Sequence, residues 1–474
     1  MAISAGIDCS SQTTKIVVCD TDTGAILREN RAPHPGATAA GGPTAEIDPQ
    51  SWLRSLGGAA EGGMLEGVRA IGVSAQQQGL IAQDAGGVRV RPALLRHDPR
   101  AGRAAAQLVV ELGGPTAWAE AVGGVPTAGS TVAKLRWLTE NEPQNAKRVA
   151  EVLLPHDWLV WQLLGHPARR CTDRGDASGT GYWSPLNGRY RGDLLALALG
   201  HEPAVPDVLG PAEAAGHSPE GLLISAGSGA TMATALGLGL DQGDAVVSLG
   251  SNGTVYAVHD QPLIDPKGQI TSFADATGRH LPQVSTLNAA RVLQATAEML
   301  RTDAAGLSEL ALRSTPGSYG LVLLPYLDGE RTPDLPHAAG TLAGLRVDSM
   351  RPEHLARAAV EGMLCGLADA LDVLRDRGVA VRRVFLTGSA GRLPAVQAIA
   401  PLVLGVPVVI PAPGDYAAIG AARQAAWALA GSTTPPQWPL RDAVTVDPGE
   451  DVAVGGAVRQ QYAAVRAQTH PELG

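Results

Sequence analysis

Two distant segments follow one plan, and that repetition constrains the fold more than any other feature of the chain. Ala5-Gly6-Ile7-Asp8 runs through a polar turn into Lys15-Ile16-Val17-Val18-Cys19-Asp20. Asp244-Ala245-Val246-Val247-Ser248-Leu249 runs through Gly250-Ser251-Asn252-Gly253 into Thr254-Val255-Tyr256-Ala257-Val258. Short β-type runs joined by Gly/Ser/Thr turns read as antiparallel hairpins. Two halves opened by the same unit suggest a duplicated architecture with a cleft between two lobes. Few residues are identical between them, so the repeat alone does not fix a family. A third strand follows the Thr23-Gly24 turn. Strand candidates at Ala70–Ser74 and Val152–Leu154 then alternate with helix-like stretches at Arg100–Leu112 and Thr131–Asn141, the pattern of a mixed α/β layer. The first domain ends near Gly239, giving residues 1–240 and 241–474. Val452–Thr469 reads as a closing amphipathic helix.

With 474 residues and 45% hydrophobic content, the chain buries a large core and divides into two or three domains. Its net charge of −9 includes no basic block, which argues against nucleic acid or an anionic membrane and for small-molecule partners. Cys9, Cys19, Cys171 and Cys365 are far apart, with neither zinc-ligand spacing nor a disulfide framework. No basic and apolar leader opens the chain, and no long apolar run follows. These features fit a soluble protein of the reducing cytoplasm.

Three turns are candidates for holding phosphate or nucleotide. Asp8 to Lys15 joins two strands, so its amides and hydroxyls can form a concave anion site, and Asp8 offers an oxygen ligand of the kind magnesium takes. Gly250-Ser251-Asn252-Gly253-Thr254 is the matching turn of the second half, and Thr387-Gly388-Ser389-Ala390-Gly391-Arg392 follows the strand Arg383–Leu386. Glycine in such turns lets backbone approach a ligand closely. The competing reading of each is an ordinary polar turn. Ser74-Ala75-Gln76-Gln77-Gln78-Gly79 gathers three amides that can bond sugar hydroxyls in both directions. Asp98 in Arg96-His97-Asp98-Pro99-Arg100 either binds a hydroxyl or caps a helix. Arg174-Gly175-Asp176 is a coincidental adhesion tripeptide, and Asp176-Ala177-Ser178-Gly179-Thr180 reads as a turn.

Several ordered segments resemble the FGGY carbohydrate kinases, nearest to their xylulokinase branch. Gly129-Ser130-Thr131-Val132-Ala133-Lys134-Leu135-Arg136-Trp137-Leu138-Thr139-Glu140-Asn141 is similar to the family's first signature. Gly340-Thr341-Leu342-Ala343-Gly344-Leu345, followed by His354 to Gly362, is similar to the second. Leu324-Pro325-Tyr326-Leu327-Asp328-Gly329-Glu330-Arg331-Thr332-Pro333, Leu154-Pro155-His156-Asp157-Trp158-Leu159, and Thr172-Asp173 with Asp176 to Thr180 resemble xylulokinase segments. The resemblance runs from Ile3 to about Leu429. It implies a two-lobed, actin-like (ribonuclease-H-like) α/β fold with a central ATP/sugar cleft. It also implies MgATP as phosphoryl donor and a ketose as acceptor, in xylulokinases D-xylulose going to D-xylulose 5-phosphate. By position, Asp8 would contact Mg2+ and phosphate, Ser11, Thr13 and Lys15 the first phosphate turn, and Gly250 and Ser251 the second. Gly388, Ser389 and Ala390 would lie by the adenosine, and Gln77, Gln78 and Asp98 by the sugar. Monomers and homodimers both occur with this fold, and no interface is legible in the pattern.

The pattern breaks on the sugar side. The family carries its catalytic aspartate in a Gly-x-Gly-Asp-Asn-Ala-Ala segment, and here that register reads Gly227-Ser228-Gly229-Ala230-Thr231-Met232-Ala233. Ala230 cannot accept a proton. Gln78 stands for a histidine, and Arg96-His97 for Trp-Asn. The nearest carboxylates in sequence are Asp241 and Glu220, with Asp98 a water-mediated alternative. Three expectations follow: a xylulokinase-type enzyme, impaired or moved to another ketose or polyol; a catalytically silent nucleotide- or sugar-binding relative; or a scaffold whose site has been altered.

Overall fold

The computed structural model describes residues 2–35, 44–449 and 452–473, and the chain divides into two compact units. Unit one comprises Met1–Leu240, Asp260–Leu281 and Gly414–Leu440; unit two comprises Asp241–His259, Pro282–Pro413 and Arg441–Gly474. The chain first passes from unit one to unit two after Leu240. Two later segments then return to unit one, which a single cut does not describe.

Unit one is built on β1 (Ile3–Cys9), β2 (Thr13–Asp20), β3 (Ile26–Pro33) and β4 (Ala70–Ala75). Then come α1 (Thr131–Asn141), α2 (Pro155–Leu163), β5 (Ala214–His217), β6 (Leu223–Ser225), β7 (Ser228–Gly229) and α3 (Ala230–Leu238). The sheet order is β5-β6-β4-β1-β2-β3, with β7 also paired to β4. β1 runs antiparallel to β2 and parallel to β4, with Asp8 opposite Lys15 on one side and Ser74 on the other. β4 is buried along its whole length and β1 nearly so. Central strands covered on both faces carry small and apolar residues throughout instead of alternating. β3 is the outer strand, largely exposed and studded with Arg28, Glu29 and Arg31, charges that keep an edge from pairing further.

Unit two opens with β8 (Asp244–Leu249) and β9 (Gly253–Ala257), continues through β10 (His280–Thr286) and the long helix α4 (Pro352–Arg375), and reaches β11 (Arg383–Thr387) and β12 (Val408–Ile410). The chain returns to unit one with α5 (Tyr416–Ala430), then ends in unit two with β13 (Val444–Val446) and α6 (Val452–Thr469). The strands lie in the order β10-β9-β8-β11-β12-β13. β8 pairs antiparallel with β9 and parallel with β11, repeating the β2-β1-β4 arrangement of unit one.

Glycines let α5 lie directly on unit one's sheet and on α3. A Cβ on Gly6 would stand 1.8 Å from the Ala418 carbonyl oxygen, and one on Gly72 would stand 2.0 Å from that of Ala421. One on Gly420 would stand 1.8 Å from the Ala233 oxygen, and one on Gly237 2.1 Å from that of Tyr416. No side chain fits at such separations, so backbone meets backbone.

Candidate active site

In unit one the carboxyl ends of β1, β4 and β7 converge, and the sequence-derived residues gather there. Asp8 is buried at the end of β1, and its Oδ1 accepts a bond from Ser74 Oγ (3.1 Å). The turn that follows is closed by Ser10, whose amide and hydroxyl both donate to the Thr13 carbonyl (3.0 and 2.9 Å). Ser11 lies within it. Lys15 points to Asp415, whose Oδ2 it meets at 2.5 Å. Burial and the neighbouring Asp415 push the Asp8 carboxyl up to about 7, opposed by Lys15 and the Ser74 bond. Sequence reasoning missed Asp415: it caps α5, accepting from the Ala418 amide, hundreds of residues from the turn it completes.

Gln77 and Gln78 stand at the end of β4. Gln77 Oε1 accepts from the Thr231 amide (3.3 Å), and its Nε2 approaches Met232 Sδ (3.3 Å), so it is tied to the first turn of α3. Gln78 adopts φ +60°, a conformation side chains rarely take. Its peptide groups are held by buried charges on both sides. Its N–H donates to Asp176 Oδ1 (3.3 Å), and its carbonyl accepts from Lys134 Nζ (2.9 Å), which also donates to the Gly129 carbonyl. The Gln78 side-chain Nε2 in turn donates to the Gly179 carbonyl (3.0 Å). Burial pushes the Lys134 ammonium down to about 7, against the pull of Asp98.

Asp176 belongs to a buried cluster that the sequence did not reveal. Its Oδ2 lies 3.0 Å from His156 Nδ1, while His156 Nε2 faces Asp157 (3.1 Å) and Asp173 (3.5 Å). Burial disfavours the imidazolium, but Asp157, Asp176 and Asp173 outweigh it and hold His156 up at about 9. Burial likewise raises Asp157 to about 7 in spite of the histidine. The segment read as a turn starts in the last two residues of a short helix, Arg174–Ala177, and turns at Ser178 and Gly179; the helix is capped by Asp173, which accepts from the amides of Gly175 and Asp176. A Cβ on Gly229 would lie 3.3 Å from Asp176 Cγ, so this carboxylate lies beside Gly229 and one residue from Ala230. Asp176 is wholly buried.

Asp98 is used locally. Its Oδ2 accepts from the Ala45 amide (2.8 Å), its Oδ1 from the Arg100 amide (3.0 Å), and the Arg100 side chain bridges both oxygens. It caps the 3-10 turn Pro99–Ala101, the helix-capping alternative read from the sequence.

In unit two the remaining turns meet at one end of β8 and β11, where Ser248 is opposite Thr387. Gly388 has φ +86°, and a Cβ there would lie 2.5 Å from the Leu249 carbonyl carbon. Only glycine lets this turn close on the β8 backbone, and that brings Gly388-Ser389-Ala390 beside Gly250-Ser251. Among the described residues no group of three or more His, Cys, Asp or Glu side chains forms a metal cluster.

Comparison with known proteins shows the family. Residues 3–247 match the FGGY family of carbohydrate kinases, N-terminal domain, and residues 245–429 match its C-terminal domain. The chain is 42% identical to a xylulose kinase of Streptomyces coelicolor over 437 residues, covering 90% of this chain and 88% of that relative. It is 40% identical to a xylulose kinase of Streptomyces rubiginosus, with the same coverage. A solved xylulose kinase from Bifidobacterium adolescentis superposes with a TM-score of 0.89 at 37% identity, covering 98% of this chain and 99% of that one. The chain therefore belongs to the FGGY family of carbohydrate kinases.

Proposed function

We propose that the protein transfers the γ-phosphoryl group of ATP to the terminal hydroxyl of D-xylulose, giving D-xylulose 5-phosphate, at a rate lowered by alanine at position 230. The supporting observation is that one end of unit one's sheet carries Asp8, the Ser10–Thr13 turn, Gln77, Gln78 and Ala230 together, in a chain 42% identical to a xylulose kinase. Gln77 and Gln78 orient the sugar, with Asp98 acting through Arg100 and the Ala45 backbone on the loop beside them. Ser11, Thr13 and Lys15 line the phosphate side. Gly250 and Ser251, with Gly388, Ser389 and Ala390, take the nucleotide.

Magnesium fits this donor set. It accepts a single carboxylate and fills its other positions with water and phosphate oxygens, and Asp8 is a hard oxygen donor at the edge of a hydroxyl-rich turn. Bound there, the ion would neutralise phosphate charge. Phosphoryl transfer depends chiefly on positioning and charge stabilisation, so these residues support turnover without a base, about 10²–10⁴-fold below a complete site. The reading places the enzyme in the cytoplasm, and among the described residues no helix is long and apolar enough to cross a membrane.

Ala230 also favours a second reading, a silent relative that binds nucleotide or sugar without turnover. ADP release from MgATP, with and without D-xylulose and a panel of ketoses and polyols, separates the two. Sugar-dependent release supports the kinase; none from folded protein supports the silent binder.

A further inference from the structure

Residues 324–333 of unit two, a run that resembles xylulokinases, supply none of the groups assigned above to sugar or nucleotide. Glu330 in this run is 3% exposed, and a carboxylate taken out of water needs donors. Three neutral ones meet it. Its Oε1 accepts from the backbone amides of Leu287 (2.5 Å) and Arg331 (2.7 Å), and its Oε2 accepts from Asn288 Nδ2 (2.9 Å). Asn288 Nδ2 also donates to the Gly329 carbonyl (2.8 Å). These two bonds use both amide hydrogens and fix the plane of the Asn288 side chain. The flipped amide would set its oxygen against a carbonyl and a carboxylate. Asn288 holds its orientation although its Oδ1 is buried with no partner, an arrangement that carries a cost. Thr332 Oγ1 adds a bond to the Ser285 carbonyl (3.0 Å), so residues 329–332 hold Ser285, Leu287 and Asn288 together.

The held segment is in turn bonded to the turn 250–253. Thr286 and Ser285, at the end of β10, are register partners of Gly253 and Thr254 on β9. A Cβ on Gly253 would stand 2.4 Å from Thr286 Oγ1, so the two strands close without a side chain between them. Ala290, two residues beyond Asn288, donates its amide to the Gly250 carbonyl (2.9 Å). The turn Gly250-Ser251-Asn252-Gly253 contains two glycines, whose backbone is free to take many shapes. Its shape therefore depends on the residues bonded to it at either end.

We propose that Glu330 is a positioning residue for the nucleotide: by holding Leu287 and Asn288 it fixes the segment 286–290, and through Thr286 and Ala290 it sets the shape of the turn 250–253. The proposal rests on the nucleotide role given to Gly250 and Ser251 above. The position needs a carboxylate, because both of its oxygens accept. A glutamine there keeps one acceptor and turns an NH2 group toward a donor, either the Asn288 NH2 group or the two backbone amides.

The test is the affinity of the purified chain for MgATP, measured by calorimetric titration without sugar and so independent of turnover, beside KM for D-xylulose. Glu330→Gln is expected to weaken MgATP binding at least about tenfold and to leave KM for D-xylulose unchanged. Asn288→Ala should weaken binding severalfold. Adding Glu330→Gln to Asn288→Ala should cost less than Glu330→Gln alone, because the facing NH2 group is gone, a coupling that a general loss of stability does not produce. Ser251→Asp, which puts a negative charge into the turn, checks the nucleotide role itself and should weaken MgATP binding strongly. If Ser251→Asp does so while Glu330→Gln and Asn288→Ala, both melting cooperatively, bind MgATP as the native chain does, the proposal is overturned and the nucleotide role stands. An equal rise in KM for D-xylulose also overturns it. Should Glu330→Gln fail to fold, Asn288→Ala decides by the same criterion. If the native chain binds no MgATP, or Ser251→Asp binds it unchanged, the nucleotide role of the turn falls and the proposal with it.

Discussion

At position 230 the proposed reading turns on one missing carboxylate, and the neighbours set what placing one there would do. Ala230 is partly exposed, one residue from Gly229 and so close to the buried Asp176, and it begins a helix whose end favours negative charge. A carboxylate placed there would be stabilised by the helix and would be able to accept a proton. Ala230→Asp is therefore expected to raise sugar-dependent ADP release by at least about tenfold, read as kcat with KM for ATP unchanged. An unchanged kcat would mean that Gln78, Thr231 and Arg96-His97 also hold the site back.

At the scale of elements, the end of β4 is held by α1 from one side and by the His156 cluster from the other. Lys134 of α1 bonds the Gln78 carbonyl, and Asp176 bonds its amide. Lys134→Met removes one hold on a residue already at φ +60°. It is expected to raise KM for the ketose about tenfold, the equivalent of one lost bond to a charged group, and to leave KM for ATP unchanged. An equal rise in both constants would show that the effect is not confined to the sugar side, and a fall in kcat with both constants unchanged would point to partial unfolding. The His156 cluster makes stability depend on pH. His156 is held up near 9, above its ordinary 6.5, so its contribution is complete below about 6.5 and is lost as pH rises through about 9. Asp157, raised to about 7, acts in the same direction at lower pH. Thermal midpoints should fall between pH 6.5 and 9. His156→Gln should flatten that slope and cost about 3–5 kcal/mol at neutral pH, as for a buried ion pair stripped of one partner; an unaltered slope would show that His156 is neutral in the folded state.

Across the whole molecule the chain passes repeatedly between its two units, and unit one is not complete at Leu240. Its sheet needs α5, which covers β1 and β4 through the contacts of Gly6 and Gly72 and meets α3 at Gly420 and Gly237. A fragment of residues 1–240 therefore leaves Val17, Cys19 and the backbone at Gly6 and Gly72 without cover, and calorimetry should show no cooperative transition for it, while the full chain melts cooperatively. A sharp transition from the fragment would refute this account of α5.

Local pattern was enough to mark the hairpin strands, the helix Thr131–Asn141, the closing helix Val452–Thr469 and the three Gly/Ser/Thr turns, because periodicity and turn chemistry are properties of neighbouring residues. The resemblance to the family then picked out Asp8, Gln77, Gln78 and the alanine at 230 as candidates, by their order along the chain. The tertiary structure decided what lies far apart in that order. It placed Asp415 on Lys15, gave Asp98's oxygens to Arg100 and the Ala45 backbone, brought Asp176 and Lys134 onto Gln78, and left the buried Gln76 amide unpaired. Such pairings follow from strand register and from helices laid across a sheet, and no residue's immediate neighbours encode them.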